Sequence, residues 1–164
     1  MKHISVYDFD GTLFKTIEKN PENLDIWKQK NLNKPFGSGW WANPNSLCLD
    51  TYEIKPIEHV KDDLLKKILD LDTYTVLLTG RIERCQKAVK EILRVNNIPY
   101  LDAYYFNNSH RTLDFKLSIL TELKQMFPEV EKMEMWEDRE EHIPHFEEWG
   151  KENYGSNFTL HIVK

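Results

Sequence analysis

His3-Ile4-Ser5-Val6-Tyr7-Asp8-Phe9-Asp10-Gly11-Thr12-Leu13 runs a short apolar strand into two carboxylates two residues apart, and then into a glycine turn. Side chains in a strand repeat every two residues, so Asp8 and Asp10 look toward one crevice at the strand's carboxyl end. Gly11 lets the chain turn sharply there without the steric cost of a Cβ. Two acidic groups held close repel each other unless a hard cation sits between them or one carboxyl keeps its proton. Both remedies suit phosphoryl transfer, in which one carboxylate attacks phosphorus, the other shuttles a proton, and magnesium offsets the charge of the phosphate. A strand end carrying two solvated aspartates is the plainer alternative.

Outward from this stretch, strand-like and helix-like runs alternate, the pattern of a parallel sheet covered on both faces. Glu58 to Leu71 sets Val60, Leu64, Ile68 and Leu71 on one helical stripe. Tyr74 to Leu78 reads as a buried strand, and Ile82 to Val95 as a helix through Ile82, Cys85, Val89, Ile92 and Leu93. Ala103 to Phe106, Lys132 to Trp136 and Phe158 to Val163 are further strands. Between them lie a helix facing inward through Phe115, Ile119, Leu120, Leu123 and Phe127, closed by Pro128, and another over Glu140 to Trp149. The expectation is an α/β, three-layer, doubly wound (Rossmann-like) and mainly parallel five-stranded sheet, with its ligand crevice beyond the strands' carboxyl ends.

Residues 15–56 break the alternation. They are rich in Asn, Pro, Gly and Trp, and only Pro21 to Lys30 looks able to form a helix. A loop of that length within a compact domain is functional or disordered, and tryptophans argue against disorder. The segment reads as a flap or small cap inserted after the first strand of a single domain spanning 1–164.

At 164 residues the chain is long enough for one well-buried core and short for two. Lys plus Arg number 22 against 27 Asp plus Glu, a net charge of −5 with no block of like charge, which excludes the electrostatic footprint of a protein that coats long nucleic acid but leaves room for a locally basic site. Cys48 and Cys85 lie far apart with no zinc-binding spacing, and read as small apolar residues rather than a disulfide. There is no apolar run of signal-peptide or membrane-spanning length, so a cytoplasmic protein with no membrane association is expected, and no obligate protein partner is evident.

Asp-x-Asp-Gly-Thr-Leu directly after an N-terminal apolar strand resembles motif I of the haloacid dehalogenase (HAD) superfamily, most of whose members are magnesium-dependent phosphatases. The resemblance implies three further motifs in order: a strand ending in Thr or Ser, a later Lys, and a last strand ending in acids. Leu77-Leu78-Thr79-Gly80-Arg81, Leu113-Asp114-Phe115-Lys116 and Trp136-Glu137-Asp138-Arg139 occupy those places. Thr79 and the Gly80 amide, read as a strand handing over to a helix N-terminus, would hold a phosphoryl oxygen or else form a plain N-cap. Lys116 would neutralise carboxylates and phosphate, where a surface lysine is the alternative. Glu137 and Asp138 are implied as magnesium ligands beside Asp8 and Asp10, with Asp138 preferred because the family more often carries Asp-Asp or a spaced Asp; a solvated acidic turn is the alternative. Asp8 would form an aspartyl-phosphate, while Asp10 would protonate the leaving oxygen and then activate water.

Together with Gly39-Trp40-Trp41-Ala42-Asn43-Pro44-Asn45-Ser46-Leu47 and Glu140-Glu141-His142-Ile143-Pro144-His145-Phe146, these motifs are similar to the HAD domain of Swiss Army Knife RNA-repair proteins over most of the chain. That implies phosphate removal from RNA ends or a related nucleotide. Arg81, Arg111 and Arg139 are candidates for holding the rest of the phosphorylated substrate, with exposed surface arginines as the alternative. Trp40 and Trp41 either anchor the flap or offer a ring on which a base stacks. His142 and His145 read as packing or capping groups, since magnesium prefers oxygen, with His142 placed to orient Asp138 or Arg139. Small-metabolite and protein phosphatases remain alternatives, as does a non-catalytic phosphate- and magnesium-binding signalling module of receiver type. Asp10 favours the enzyme, because a receiver needs no second acid to drive turnover.

Overall fold

The computed structural model describes residues 1–109 and 111–164. Five parallel strands, β1 (His3–Tyr7), β4 (Thr73–Ile82), β5 (Ala103–Asn107), β6 (Lys132–Glu137) and β7 (Phe158–Ile162), form one sheet in the order β5-β4-β1-β6-β7. Two short strands, β2 (Phe14–Lys15) and β3 (Lys55–Pro56), pair antiparallel outside it.

The strands are apolar on both faces because both are covered. Ile4 and Val6 of β1, with Val76, Leu78, Met133 and Met135 beside them, pack against Phe115, Ile119, Leu120 and Leu123 of α4 (Thr112–Met126) and Phe146 of α5 (Ile143–Tyr154). Tyr7 and Leu77 point the other way, toward Val60 and Leu64 of α2 (Glu58–Leu69) and Val89 and Ile92 of α3 (Gln86–Val95). Alternation with a period of two thus gives a three-layer sandwich. Among the described residues no helix is long and apolar enough to cross a membrane.

The boundaries of α2, β4, α3 and α5 differ from the sequence expectation. The α2 stripe ends at Leu69, so Leu71, assigned above to that stripe, lies in the following turn and is 98% exposed. Strand β4 continues through Thr79, Gly80 and Arg81 to Ile82, which pairs with Asn107 of β5 after an irregularity in the register. The helix expected from Ile82 therefore begins only at Gln86, after a single 3-10 turn over Glu83–Cys85. Helix α5 is shifted along the chain and starts at Ile143, where Pro144 suits the first turn because its missing N–H has no partner to lose there.

Residues 15–56 leave and rejoin the body through the β2–β3 pair. Helix α1 (Pro21–Lys30) begins at the Asn20 side chain, which accepts the Asn23 N–H at 2.8 Å. Beyond it Trp27, Phe36, Trp40 and Tyr52 form an aromatic chain, with Phe36 stacked on Trp40 at 5.0 Å and Trp27 edge-on to Phe36 at 5.3 Å. The Trp27 and Trp40 indoles donate to the Lys34 and Ile17 carbonyls at 2.9 and 3.0 Å, which satisfies their buried N–H groups. These rings belong to the same core as Tyr7 and Leu77, so the flap is packed onto the α2–α3 layer.

Candidate functional site

Tyr7 at the end of β1 lies in register with Leu77 of β4 and Trp136 of β6, so the residues that follow these three converge. The chain also reverses its direction across the sheet between β1 and β6, the point where a parallel α/β sheet opens a crevice. Asp8 leaves β1 with its N–H donated to the Trp136 carbonyl at 3.1 Å. Its carboxylate accepts from the Lys116 ammonium at 2.7 Å on one oxygen and from the Thr12 hydroxyl at 3.1 Å on the other. Lys116, on the second turn of α4, reaches Glu137 at 2.6 Å with the same nitrogen. Glu137 in turn accepts the Asp138 and Arg139 N–H groups at 3.1 and 3.2 Å.

Asp8, Glu137 and Asp138 each bring a carboxylate oxygen within 4.8 Å of the others. Burial and the Glu137 charge push Asp8 well above the usual carboxylate range, against the pull of Lys116. Burial and Glu137 raise Asp138 as well. Burial works against the Lys116 charge, yet Asp8 and Glu137 outweigh it and raise that ammonium above its ordinary value. With all three carboxylates ionised, one ammonium would leave two negative charges in a buried place, the balance a divalent cation would restore. The donor atoms are all carboxylate oxygens, so the set fits hard magnesium rather than a soft metal.

Gly11 is what allows this approach. Its φ is +72°, and a Cβ there would fall on the Asp138 carboxylate. Asp10, expected beside the other acids, is turned away from them. Its carboxylate accepts from Arg81 Nη2 and Nε at 2.7 and 3.0 Å and from the Thr16 hydroxyl at 2.7 Å. The remaining Arg81 nitrogen donates to the Ser46 hydroxyl at 2.7 Å and the Trp41 carbonyl at 3.0 Å. Arg81 is thus buried and bound to the chain on every side, so its guanidinium joins the flap to Asp10.

Thr79 is fully buried and its hydroxyl accepts the Arg81 N–H at 3.0 Å, inside a strand rather than at a helix N-terminus. The helix-dipole reason for phosphate binding at Thr79 and Gly80 therefore does not apply here. Gly80 lines the crevice, and a side chain there would strike the Thr112 methyl at 2.8 Å.

Residues 20–163 match the model of HAD domain family 1 in Swiss Army Knife RNA repair proteins. The chain belongs to this family. Among solved structures, the HAD domain of effector protein Lem4 from Legionella pneumophila is similar to it, at 18% identity and a TM-score of 0.63, over 99% of this chain and 86% of that one. A chain of the Pnkp1/Rnl/Hen1 RNA repair complex is similar at 17% identity and a TM-score of 0.57 over 98% of this chain. This chain spans only 42% of that protein. An archaeal beta-phosphoglucomutase from Pyrococcus sp. strain ST 04 matches at 16% identity, a TM-score of 0.57, and coverages of 98% and 86%. At such identities the likeness is one of fold.

In this HAD domain the crevice has a volume of about 420 Å³ and is walled by Asp8, Asp10, Lys116, Asp138, Trp41 and Arg139, among others. A larger groove of about 770 Å³ runs along α3 but shares no residue with the crevice and none of its carboxylates. Trp40 is buried in the flap, whereas Trp41 is 49% exposed and borders the crevice. Arg111 stands apart at the start of α4, exposed and paired with Asp114 at 3.2 Å. Arg139 is on the wall and bonds Glu141 at 3.0 Å. His142 also lines the crevice, and burial lowers its pKa, but it meets Arg139 through its backbone N–H rather than its ring. His145 is exposed.

Thr12, Ser46 and Thr112 also belong to the site, though nothing in the local sequence marks Ser46 or Thr112 as such. Thr12 directly follows Gly11 in the turn after β1, where its hydroxyl lies close to Asp8. The approach of Ser46 to Arg81 depends on how the flap packs and has no local signal.

Proposed function

We propose that this HAD domain is a magnesium-dependent phosphatase that hydrolyses a phosphomonoester through an aspartyl-phosphate on Asp8, the phosphate being borne by a nucleotide or a nucleic-acid end. One observation carries the reading: a buried Asp8 shares Lys116 with Glu137 and sits within ligand distance of Asp138, while Asp10 stands two residues on at the crevice mouth. Membership of an RNA-repair family supports the substrate class.

Magnesium held by Asp8, Glu137 and Asp138 would offset the negative charge of the phosphoryl oxygens. Lys116 holds Asp8 by one oxygen and Thr12 by the other, which fixes the plane of the attacking carboxylate. An Asp8 oxygen bonds to phosphorus as the ester P–O bond breaks, and its electron pair leaves on the substrate oxygen, which takes a proton from Asp10. Asp10 then removes a proton from water, whose oxygen bonds to phosphorus as the Asp8–phosphorus linkage opens. Free Asp8 and inorganic phosphate result. Phosphate release from a panel of nucleotides, 3′- and 5′-phosphorylated RNA and DNA, phosphopeptides and sugar phosphates tests this. The reading expects nucleotides or nucleic-acid ends to be turned over fastest, and a faster sugar phosphate overturns the substrate class.

A further inference from the structure

A second cleft of about 520 Å³ opens between the flap and the crevice, and the two share Asp10, Trp41 and Asp138 as a common wall. Asp8 and Lys116 face only the first cleft. The bond that breaks in a phosphomonoester lies between phosphorus and the oxygen protonated by the general acid, so the acid must sit where phosphoryl group and leaving group meet. Asp10 stands at such a boundary. The phosphoryl group then belongs over Asp8, and the remainder of the substrate in the cleft beside the flap.

The lining says what kind of remainder fits. With Asp10 paired to Arg81 and Asp138 turned to the carboxylate cluster, Glu18 and Glu53 balance Lys15 and Lys55, and Lys55 is itself paired with Glu53 at 3.2 Å. A second phosphate would find no surplus of positive charge there to hold it. Asn20 and Asn23 supply uncharged polar groups, and Trp41 supplies an aromatic wall. The Arg81 guanidinium lies 5.0 Å from the Trp41 ring centroid, yet the ring is half exposed and lines both clefts, so it offers surface to a flat group. A cleft of this size lies within the range of small-molecule sites.

We propose that this second cleft is the leaving-group subsite and that it takes one uncharged nucleoside, its base stacked on Trp41. The proposal rests on the phosphatase reading above and adds where the leaving group lies and which tryptophan receives it. Trp40, inside the flap core, has no part in it.

The test measures kcat/KM for ribonucleoside monophosphates and for acetyl phosphate, which has no ring, in the wild type, Trp41→Leu and Trp41→Phe. Binding of the four unphosphorylated ribonucleosides is measured alongside by equilibrium dialysis. Leucine keeps an apolar cover on Arg81 but has no π face, whereas phenylalanine keeps the face. The expected result is a loss of at least about fivefold in the nucleotide-to-acetyl-phosphate ratio for Trp41→Leu, largely recovered in Trp41→Phe, with the same order in nucleoside binding. An unchanged ratio with unchanged nucleoside binding overturns the subsite, as does faster turnover of a phosphotyrosine peptide than of any nucleotide. Should no substrate be hydrolysed, the phosphatase reading falls, and nucleoside binding with its dependence on Trp41 still decides the subsite.

Discussion

Arg81 sends its guanidinium inward and grips Asp10 side-on, with Nη2 2.7 Å from one carboxylate oxygen and Nε 3.0 Å from the other. Side-on pairing of this kind fixes the carboxylate plane as a single ammonium contact cannot. Ser46 and the Trp41 carbonyl hold the far nitrogen of the same guanidinium, so the orientation of the proposed general acid depends on the seating of the flap.

Arg81→Lys should therefore lower kcat by about 100-fold while changing KM little, because misplacing a catalytic group by an ångström costs about that much. Arg81→Ala should in addition destabilise the fold by about 3 kcal/mol, since it strands a partly buried carboxylate. Steady-state kinetics and urea unfolding measure both. A rise in KM at constant kcat would return Arg81 to a direct role in holding substrate.

Asp8→Asn removes the attacking charge but keeps the shape of the side chain. Hydrolysis should fall by about 1,000-fold or more. The melting temperature without added metal should hold or rise, because the substitution removes the burial penalty and the repulsion from Glu137 that keep Asp8 well above the usual carboxylate range. Activity near the wild-type level would rule out the aspartyl-phosphate.

Chelation should abolish turnover, and magnesium should restore it. With magnesium at about 100 times its Kd the fold should gain about 2.7 kcal/mol, roughly 5–10 °C in a chain of this size. Glu137→Gln should shrink that gain by removing one of the three carboxylates that converge. Calorimetry with and without the ion reads this directly, and a melting temperature indifferent to magnesium would mean that the acidic cluster serves another purpose.

The sheet was legible in the sequence because strands buried on both faces, such as β1 and β4, write continuous apolar runs, and because Asp8, Lys116, Glu137 and Asp138 follow strands or open a helix in a recognisable order. The end of β4 was not legible. Thr79-Gly80-Arg81 has the composition of a turn, and only pairing of Ile82 with Asn107 on the neighbouring strand carries it onward. Arg81 shows the same limit: an arginine reads as exposed, and the partners that draw it inward lie 35 and 40 residues upstream on the flap. Trp40 and Trp41 are adjacent in a segment with no periodicity, so nothing local says that the first is core and the second borders the crevice.

Away from the crevice, Glu134 sits inside β6 and offers a test of the fold by pH. Burial pushes its carboxyl up, but His161 at 3.0 Å, the Lys67 ammonium and the Ser5 hydroxyl at 2.5 Å outweigh this and bring it down to about 2 from an ordinary 4.5. A folded-state value below the unfolded one means that the unfolded chain binds the proton more readily. The stabilisation is then complete above about pH 4.5 and is lost as pH falls toward 2. Discounted for the part of the carboxylate that solvent screens, this amounts to about 1–2 kcal/mol. Glu134→Gln should lower stability at pH 7 and lose less than the wild type on acidification, so the two unfolding curves converge between pH 4.5 and 2. Urea unfolding across that interval measures the difference, which cancels the other carboxylates common to both proteins. Parallel curves for wild type and variant would show that the Ser5, Lys67 and His161 contacts do not hold Glu134 ionised.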